Sequence, residues 1–256
     1  NTTAAQTLSF AVTGANDAPN SIALSGSSIN ENSLGATVGS LSASDPENDN
    51  ISYSLGVDND ESSFEIVGGS LKLKNTVSAN KEVKSSYTVE VTAEDTDAAS
   101  TTQSFTIAVG DVNESPILST PTQESITEDA TSNIVTGSLS ATDPELDALS
   151  YSIVGETAVD NIYTVTGTYG TITLDSTDGS YSYALNNSLS AVQALSATDS
   201  VGDDFSVKVS DGANTTAAQT LSFAVTGAND APSINVSNLT NIDENTPQAV
   251  AALVSA

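Results

Sequence analysis

The chain has 256 residues, in which 33 Asp and Glu face five positive side chains, for a formal net charge of −28. All five are lysines: Lys72, Lys74, Lys81, Lys84 and Lys208. Such a surface repels nucleic acid and anionic membranes and attracts cations. Cys, His, Met and Trp are absent, which excludes disulfides, thiolate nucleophiles, imidazole bases and the usual zinc and copper sites. No apolar run reaches membrane-spanning length and no signal-peptide pattern is visible. With 38% hydrophobic residues in alternating runs, folded β-modules fit the sequence better than disorder does. A saline habitat would also favour an acidic surface.

In chain order, residues 1–19 (NTTAAQTLSFAVTGANDAP) recur unchanged at 214–232, an offset of 213 residues. INEN at 29–32 returns as IDEN at 242–245 in the same register, and ATVGSLSA at 36–43 returns more loosely as AVAALVSA at 249–256. The chain therefore spans slightly more than one period of a long repeat. Residues 1–18 supply only the last strand of one module, and 232–256 only the first strands of another. Neither can close a sheet alone. Two whole modules lie between them, at 19–115 and 116–231.

In the first module the predicted strands are 21–24, 36–43, 51–56, 64–67, 70–73, 87–93 and 102–109. Alternation is cleanest in YTVEVTA at 87–93, where every second side chain faces a core. Gly68-Gly69 reads as a two-residue hairpin turn. In the second module the predicted strands are 135–141, 149–154, 162–165, 170–174, 181–185, 204–209 and 220–225, with a hairpin at Asp178-Gly179. Seven short strands at this spacing predict a β-sandwich. Tyr163, Tyr169, Tyr181 and Tyr183 could form a ligand platform, but their alternation favours cross-strand packing.

The modules are separated by acidic joints: GANDAP at 14–19, GDVNESP at 110–116 and GANDAP at 227–232. Asp and Asn before Pro make turns and solvated loops, which accounts for any one joint. Three of them, each at a module boundary, favour gathered oxygen ligands for a hard cation, since Ca²⁺ takes about six to eight.

Several motifs carry a family resemblance. Asn30-Glu31-Asn32, Asp45-Pro46-Glu47-Asn48-Asp49, Asn80-Lys81-Glu82, YTVEVTAED at 87–95 and Asp111-Val112-Asn113-Glu114 make residues 19–115 resemble a cadherin or bacterial cadherin-like domain. ITEDA, GSLSATDPELD, GTYGTITLDSTDGSYSYALNN, VQALSATDS, FSVKVSDG and TGANDAP make residues 116–231 resemble a VCBS domain, a repeat of giant bacterial surface proteins. The resemblances imply an all-β chain of tandem seven-stranded Greek-key (immunoglobulin/cadherin-like) sandwiches in an extended array, with Ca²⁺ at each joint.

Carried over by motif, the central joint takes Glu31 and Glu82 from one module, Asp111, Asn113 and Glu114 from the linker, and Asp143, Glu145 and Asp211 from the next. The first joint takes Asp17 with Asp45, Glu47 and Asp95, and Asn16 as a carbonyl donor. The last takes Glu128 and Asp204 with Asn229 and Asp230. The sequence departs from the cadherin pattern in a linker one residue short of DxNDNxP. Asn80 also stands at the first acid of DxE, and Asp-Pro-Glu replaces Asp-x-Asp in both modules. Fewer or weaker ions per joint are the expected consequence.

Paired carboxylates can hydrolyse glycosides. Here they sit in linkers and loop tips, with neither His nor Cys beside them, so no enzyme is expected. The expected function is a calcium-rigidified, extracellular repeat of an adhesin stalk or cell-surface filament, bacterial or archaeal. Its partners would be neighbouring repeats, other copies in a fibre, and a surface or matrix ligand held by domains outside this segment. The alternative is an accessory carbohydrate-binding or spacer module of a secreted polysaccharide-active protein. That role calls for exposed aromatics, and there is no Trp.

Overall fold

The computed structural model describes residues 3–230, and the expected next module at 232–256 lies outside them. The chain divides into two compact units, residues 1–113 and 114–256. Among the described residues there is no α-helix, and one 3₁₀ turn spans Glu61–Ser63.

In the first unit the strands are β1 (Asn20–Leu24), β2 (Ser28–Asn30), β3 (Thr37–Ser44), β4 (Ser52–Leu55), β5 (Phe64–Val67), β6 (Ser70–Leu73), β7 (Ser86–Glu94) and β8 (Ser100–Gly110). They form two sheets, β1-β3-β6-β5 and β2-β8-β7-β4. The alternation of β7 is realised, with Tyr87, Val89, Val91 and Ala93 buried. Together with Ile107 they pack over Phe64, Leu71 and Leu73, and the Phe64 and Tyr87 rings meet edge to face at 5.4 Å. Gly68 and Gly69 both take positive φ, as the two-residue turn between β5 and β6 requires.

Eight strands stand where seven were predicted: 21–24 is realised as β1, and the short β2 is an addition. β1 pairs antiparallel with β3, then the chain crosses and β2 pairs parallel with β8 in the other sheet. Gly26 permits the crossing: a Cβ there would lie 2.0 Å from the Val38 carbonyl oxygen.

The second unit contains β9 (Ile117–Leu118), β10 (Glu124–Thr127), β11 (Ile134–Ser138), β12 (Ala141–Thr142), β13 (Ser150–Ile153), β14 (Ile162–Thr166), β15 (Gly170–Asp175), β16 (Ser180–Leu185), β17 (Ser200–Ser210) and β18 (Gln219–Thr226). The main sheets are β10-β18-β17-β13 and β11-β16-β15-β14, and β9 pairs with β12. The predicted strand at 135–141 is therefore two pieces, β11 and β12. β17 begins at Ser200, four residues earlier than expected. The hairpin at Asp178-Gly179 is longer than two residues: β15 ends at Asp175, whose Oδ1 accepts from the backbone N–H and hydroxyl of Thr177. Tyr181 and Tyr183 belong to the core: Tyr183 stacks on Phe223 at 4.3 Å, and Tyr181 meets the same ring edge to face.

One sequence meets two environments. In β18, Leu221, Phe223 and Val225 are fully buried, and the strand pairs with β17 on one side and β10 on the other. The identical residues Leu8, Phe10 and Val12 lie outside any strand, 77%, 81% and 94% exposed. Phe223→Ala should therefore cost about 3–5 kcal/mol of stability in the second unit. Phe10→Ala, with the same flanking sequence, should stay within about 0.5 kcal/mol. Chemical denaturation of the two variants side by side measures the difference.

Candidate metal centres

Each unit has an entry end, where the preceding linker arrives, and an exit end, where the chain leaves. At the entry end of the first unit, Asp45 closes the loop after β3. Its Oδ1 accepts from the backbone N–H of Glu47 (2.9 Å) and Asp49 (3.1 Å). Its Oδ2 is buried and accepts no hydrogen bond. Glu47 Oε2 accepts from the backbone N–H of Asp17 at 3.4 Å. Asp95, just after β7, accepts at Oδ1 from the backbone N–H of Asp97 and Ala99 and at Oδ2 from the Asn16 side-chain amide at 2.9 Å. The Asn16 amide and these backbone donors outweigh burial and hold Asp95 below the ordinary carboxylate range. Asp17, Asp45, Glu47 and Asp95 are thus linked through one loop cluster. Asn16 takes part through its side chain, where a carbonyl was expected.

The entry end of the second unit repeats this arrangement. Asp143 Oδ1 accepts from the backbone N–H of Asp147, and its Oδ2 is buried with no hydrogen bond. The Glu114 backbone N–H reaches Glu145 Oε2 at 3.4 Å, matching the Asp17–Glu47 contact. Asp211 Oδ1 accepts from the backbone N–H of Ala213 (2.7 Å) and Asn214 (2.5 Å), and the Asn214 side-chain amide donates to the Glu114 carbonyl at 3.2 Å. Asn214 was absent from the predicted set, though it follows Asp211-Gly212 in a turn sequence that marks such a clasp. The Glu114 carboxylate lies against that of Glu145, which together with desolvation pushes Glu145 up to about 7. Two acids in contact need a shared proton or a cation.

At the exit end of the first unit, Glu31 follows β2 and is fully buried. Its Oε1 accepts from the Val112 N–H (2.9 Å) and its Oε2 from the Lys81 N–H (2.6 Å). The Glu82 and Asp111 carboxylates also stand beside it. Burial alone would raise Glu31, but these partners outweigh it and hold the group below its ordinary value. Asn80, the departure from DxE, accepts at Oδ1 from the Val83 N–H and so makes a turn. Asn113 is exposed on the linker.

At the exit end of the second unit, Glu128 is equally buried, yet its neighbours differ. Oε1 accepts from the Gln193 side-chain amide at 2.9 Å and Oε2 from the Ala228 N–H at 3.2 Å. Asp204 is not brought to it. It lies exposed in β17 opposite Ser222, whereas Thr226 is the strand residue that bonds to Glu128. Four strand residues separate those positions, about 13 Å. Asn229 and Asp230 are exposed, and the Asn229 amide donates to the Asp230 carbonyl.

Two buried carboxylates went unpredicted, and both serve the fold. Asp203 accepts from the backbone N–H of Thr168, Tyr169 and Gly170 and from the Tyr183 hydroxyl. Glu61 accepts from the backbone N–H of Asn59 and Glu90. Elsewhere the donor set is all oxygen, and Asp45 Oδ2, Asp143 Oδ2 and Glu145 Oε1 are buried acceptors without donors. That chemistry fits a hard cation such as Ca²⁺.

The Glu114–Glu145 pair has a measurable consequence without metal. Between about 4.5 and about 7 the folded unit keeps a proton that the unfolded chain releases. In EGTA the pair's contribution is full below about pH 4.5 and lost as pH rises towards 7. Glu145→Gln should remove that part of the pH dependence, read as melting temperature across the pH range.

Residues 26–110 match the family model of the cadherin domain, and residues 113–227 match that of the bacterial cadherin-like domain. The VCBS resemblance of the second segment is not among these matches. No curated protein matches the chain. Among solved structures, human protocadherin-24 EC1-2 (form II) is 19% identical, with 82% of this chain and 99% of that one covered and a TM-score of 0.57. A second structure of human protocadherin-24 EC1-2 gives 20%, 85%, 100% and 0.51. Protocadherin gamma B2 extracellular cadherin domains 1–5 give 17%, 85%, 41% and 0.54. The likeness is one of fold.

Proposed function

We propose that this chain, which carries a cadherin domain followed by a bacterial cadherin-like domain, is a calcium-stiffened spacer in an extracellular adhesin stalk or cell-surface filament. Cadherin domains are in general non-enzymatic adhesion modules that occur in tandem. The 213-residue repeat extends that pattern along this chain, with module boundaries at 18/19, 115/116 and 231/232. The motifs of residues 116–231 add the expectation of a VCBS-type surface protein.

One observation carries the calcium reading. The same buried, donor-free oxygen occurs at the entry end of both units, as Asp45 Oδ2 and Asp143 Oδ2. A buried carboxylate oxygen without a partner is costly, and a divalent cation removes the cost. Asp17, Asp45, Glu47 and Asp95 would hold calcium at one entry end. Glu114, Asp143, Glu145 and Asp211 would hold it at the other. Glu31, Glu82 and Asp111 would hold it at the exit of the first unit. Bound calcium supplies the positive charge these clusters lack, and it ties linker residues to module residues. Extracellular modules bind calcium at about 10⁻⁴ to 10⁻³ M, which suits seawater or host fluids. The carbohydrate-binding alternative is weakened by the fate of the tyrosines, since Tyr181 and Tyr183 are buried in the core.

In millimolar Ca²⁺ the melting temperature should rise relative to EGTA, each site adding about 0.4–1.4 kcal/mol of stability at a one- to tenfold excess over Kd. The maximum dimension in small-angle scattering should increase as the linker stiffens. Asp111→Ala should reduce both changes, while Glu156→Ala, an exposed acid in the turn after β13, should leave them intact. Unchanged melting and unchanged scattering across the calcium titration would defeat this function.

A further inference from the structure

The exit ends of the two units occupy the same place in their folds. Glu31 N donates to the Gly110 carbonyl at the end of β8, and Glu128 N donates to the Thr226 carbonyl at the end of β18. Two residues on, Val112 N reaches Glu31 and Ala228 N reaches Glu128. The surroundings of these two buried glutamates are nevertheless opposite in character. Around Glu31 stand two more carboxylates, Glu82 and Asp111. Around Glu128 the equivalent positions are neutral: Gln193 donates its amide to Oε1, and Gly227 stands at the linker position of Asp111.

Gly227 also has no room for an acid. A Cβ there would lie 2.5 Å from both Leu195 Cβ and the Ser196 carbonyl oxygen. The segment after β16 is folded back over this end by successive turns, from Leu189 N to the Asn186 carbonyl through Asp199 N to the Ser196 carbonyl, and the Gly227 N–H donates to the Asp199 carbonyl. Val192 within it is fully buried in the core. Asp199, the remaining acid of the segment, accepts from the backbone N–H and hydroxyl of Ser196. Glu128 is thus enclosed with both oxygens satisfied, as Glu31 is, but the side chain that closes on it is a neutral amide.

We propose that the exit end of the second unit is closed to cations, so that calcium uptake is polar: the exit of the first unit takes calcium and the exit of the second is sealed by Gln193, Leu195 and Ser196. This rests on the calcium reading of the first unit. It sets aside Glu128 and Asp204 as ligands. The linker that precedes the first unit has the same sequence as the one at 227–232, with Gly14 in the place of Gly227. Along the repeat, linkers of the Asp111 kind, with an acidic exit end before them, therefore alternate with linkers of the Gly227 kind, whose preceding exit end is sealed.

The test is a calcium titration of the full chain from EGTA, followed by calorimetry and by ¹H–¹⁵N spectra. The Lys81 and Val112 amides, which donate to Glu31, should shift on calcium uptake. The Gln193 side-chain amide should stay in place. Glu82→Gln should weaken uptake reported by Val112 by at least about tenfold. Glu128→Gln should lower the melting temperature of the second unit and leave the calcium isotherm unchanged. A Gln193 amide that moves in step with Val112, or an uptake event lost in Glu128→Gln, would overturn the sealed exit while leaving the calcium reading of the first unit standing. Should Glu128→Gln fail to fold, the Gln193 resonance of the unaltered chain decides alone. No uptake and no shift at Val112 would overturn the calcium reading, and this inference with it.

Discussion

Scarcity of positive charge governs the arrangement of nearly every acid in this chain. With 33 carboxylates and five lysines, ion pairing cannot neutralise them, and the described residues contain two salt bridges, Lys72–Glu65 and Lys84–Asp60. Backbone N–H groups do the work instead. Asp203 gathers three of them and a tyrosine hydroxyl, Glu61 and Asp95 two each, and Glu31 two from segments far apart in sequence. A carboxylate that accepts several N–H bonds stays ionised in a buried place and pins the loops that supply them. The β-sandwich thus uses its acids as loop clamps, and loop tips are where a sandwich needs clamping because the sheet ladders end there.

The same supply of donors explains where a cation would sit. At the entry ends the loops that follow Asp45 and Asp143 satisfy Oδ1 and leave Oδ2 bare in a buried position. The neighbouring acid then arrives two residues later, as Glu47 or Glu145, and is met by a linker N–H at the weak distance of 3.4 Å. A fold that finds amide donors for Asp203 so completely could have done so here. At the second entry end it sets Glu114 against Glu145 instead, which is stable only with a proton or a metal between them.

Much of this was legible in the sequence, for identifiable reasons. Period-two alternation located the long strands, because one face of each must be buried and a one-residue slip would invert it. The acidic punctuation located the module ends. The short β2 and the break between β11 and β12 were not legible, since short segments with one or two apolar residues carry no measurable period. Asp204 is a different kind of miss. Phe205, Val207 and Val209 point inward, so parity alone turns Asp203 inward and Asp204 out to solvent. Motif analogy between two unlike sandwiches overrode a simple count of faces. Gln193 and the plug around it lay in a polar stretch with no pattern at all, and only tertiary packing of Leu195 and Ser196 on Gly227 gives them meaning.

The two exit ends show how a repeat can diversify without changing its fold. Both keep the buried glutamate, its bond to the closing strand and the linker N–H that reaches it, so the geometry at the end of the sandwich is conserved between the units. What differs is the charge brought to that frame, three carboxylates at Glu31 against one carboxylate and an amide at Glu128. Replacing an acid by its amide keeps size and shape while removing the repulsion that demands a cation. Placing glycine in the linker lets the plug close over the gap. A period of two modules is the smallest that can carry both versions, and the identity of residues 1–19 with 214–232 fixes the period at 213 residues, long enough for one of each. The unit that recurs in the sequence is therefore the unlike pair, one exit end with three carboxylates and the other with one carboxylate and an amide.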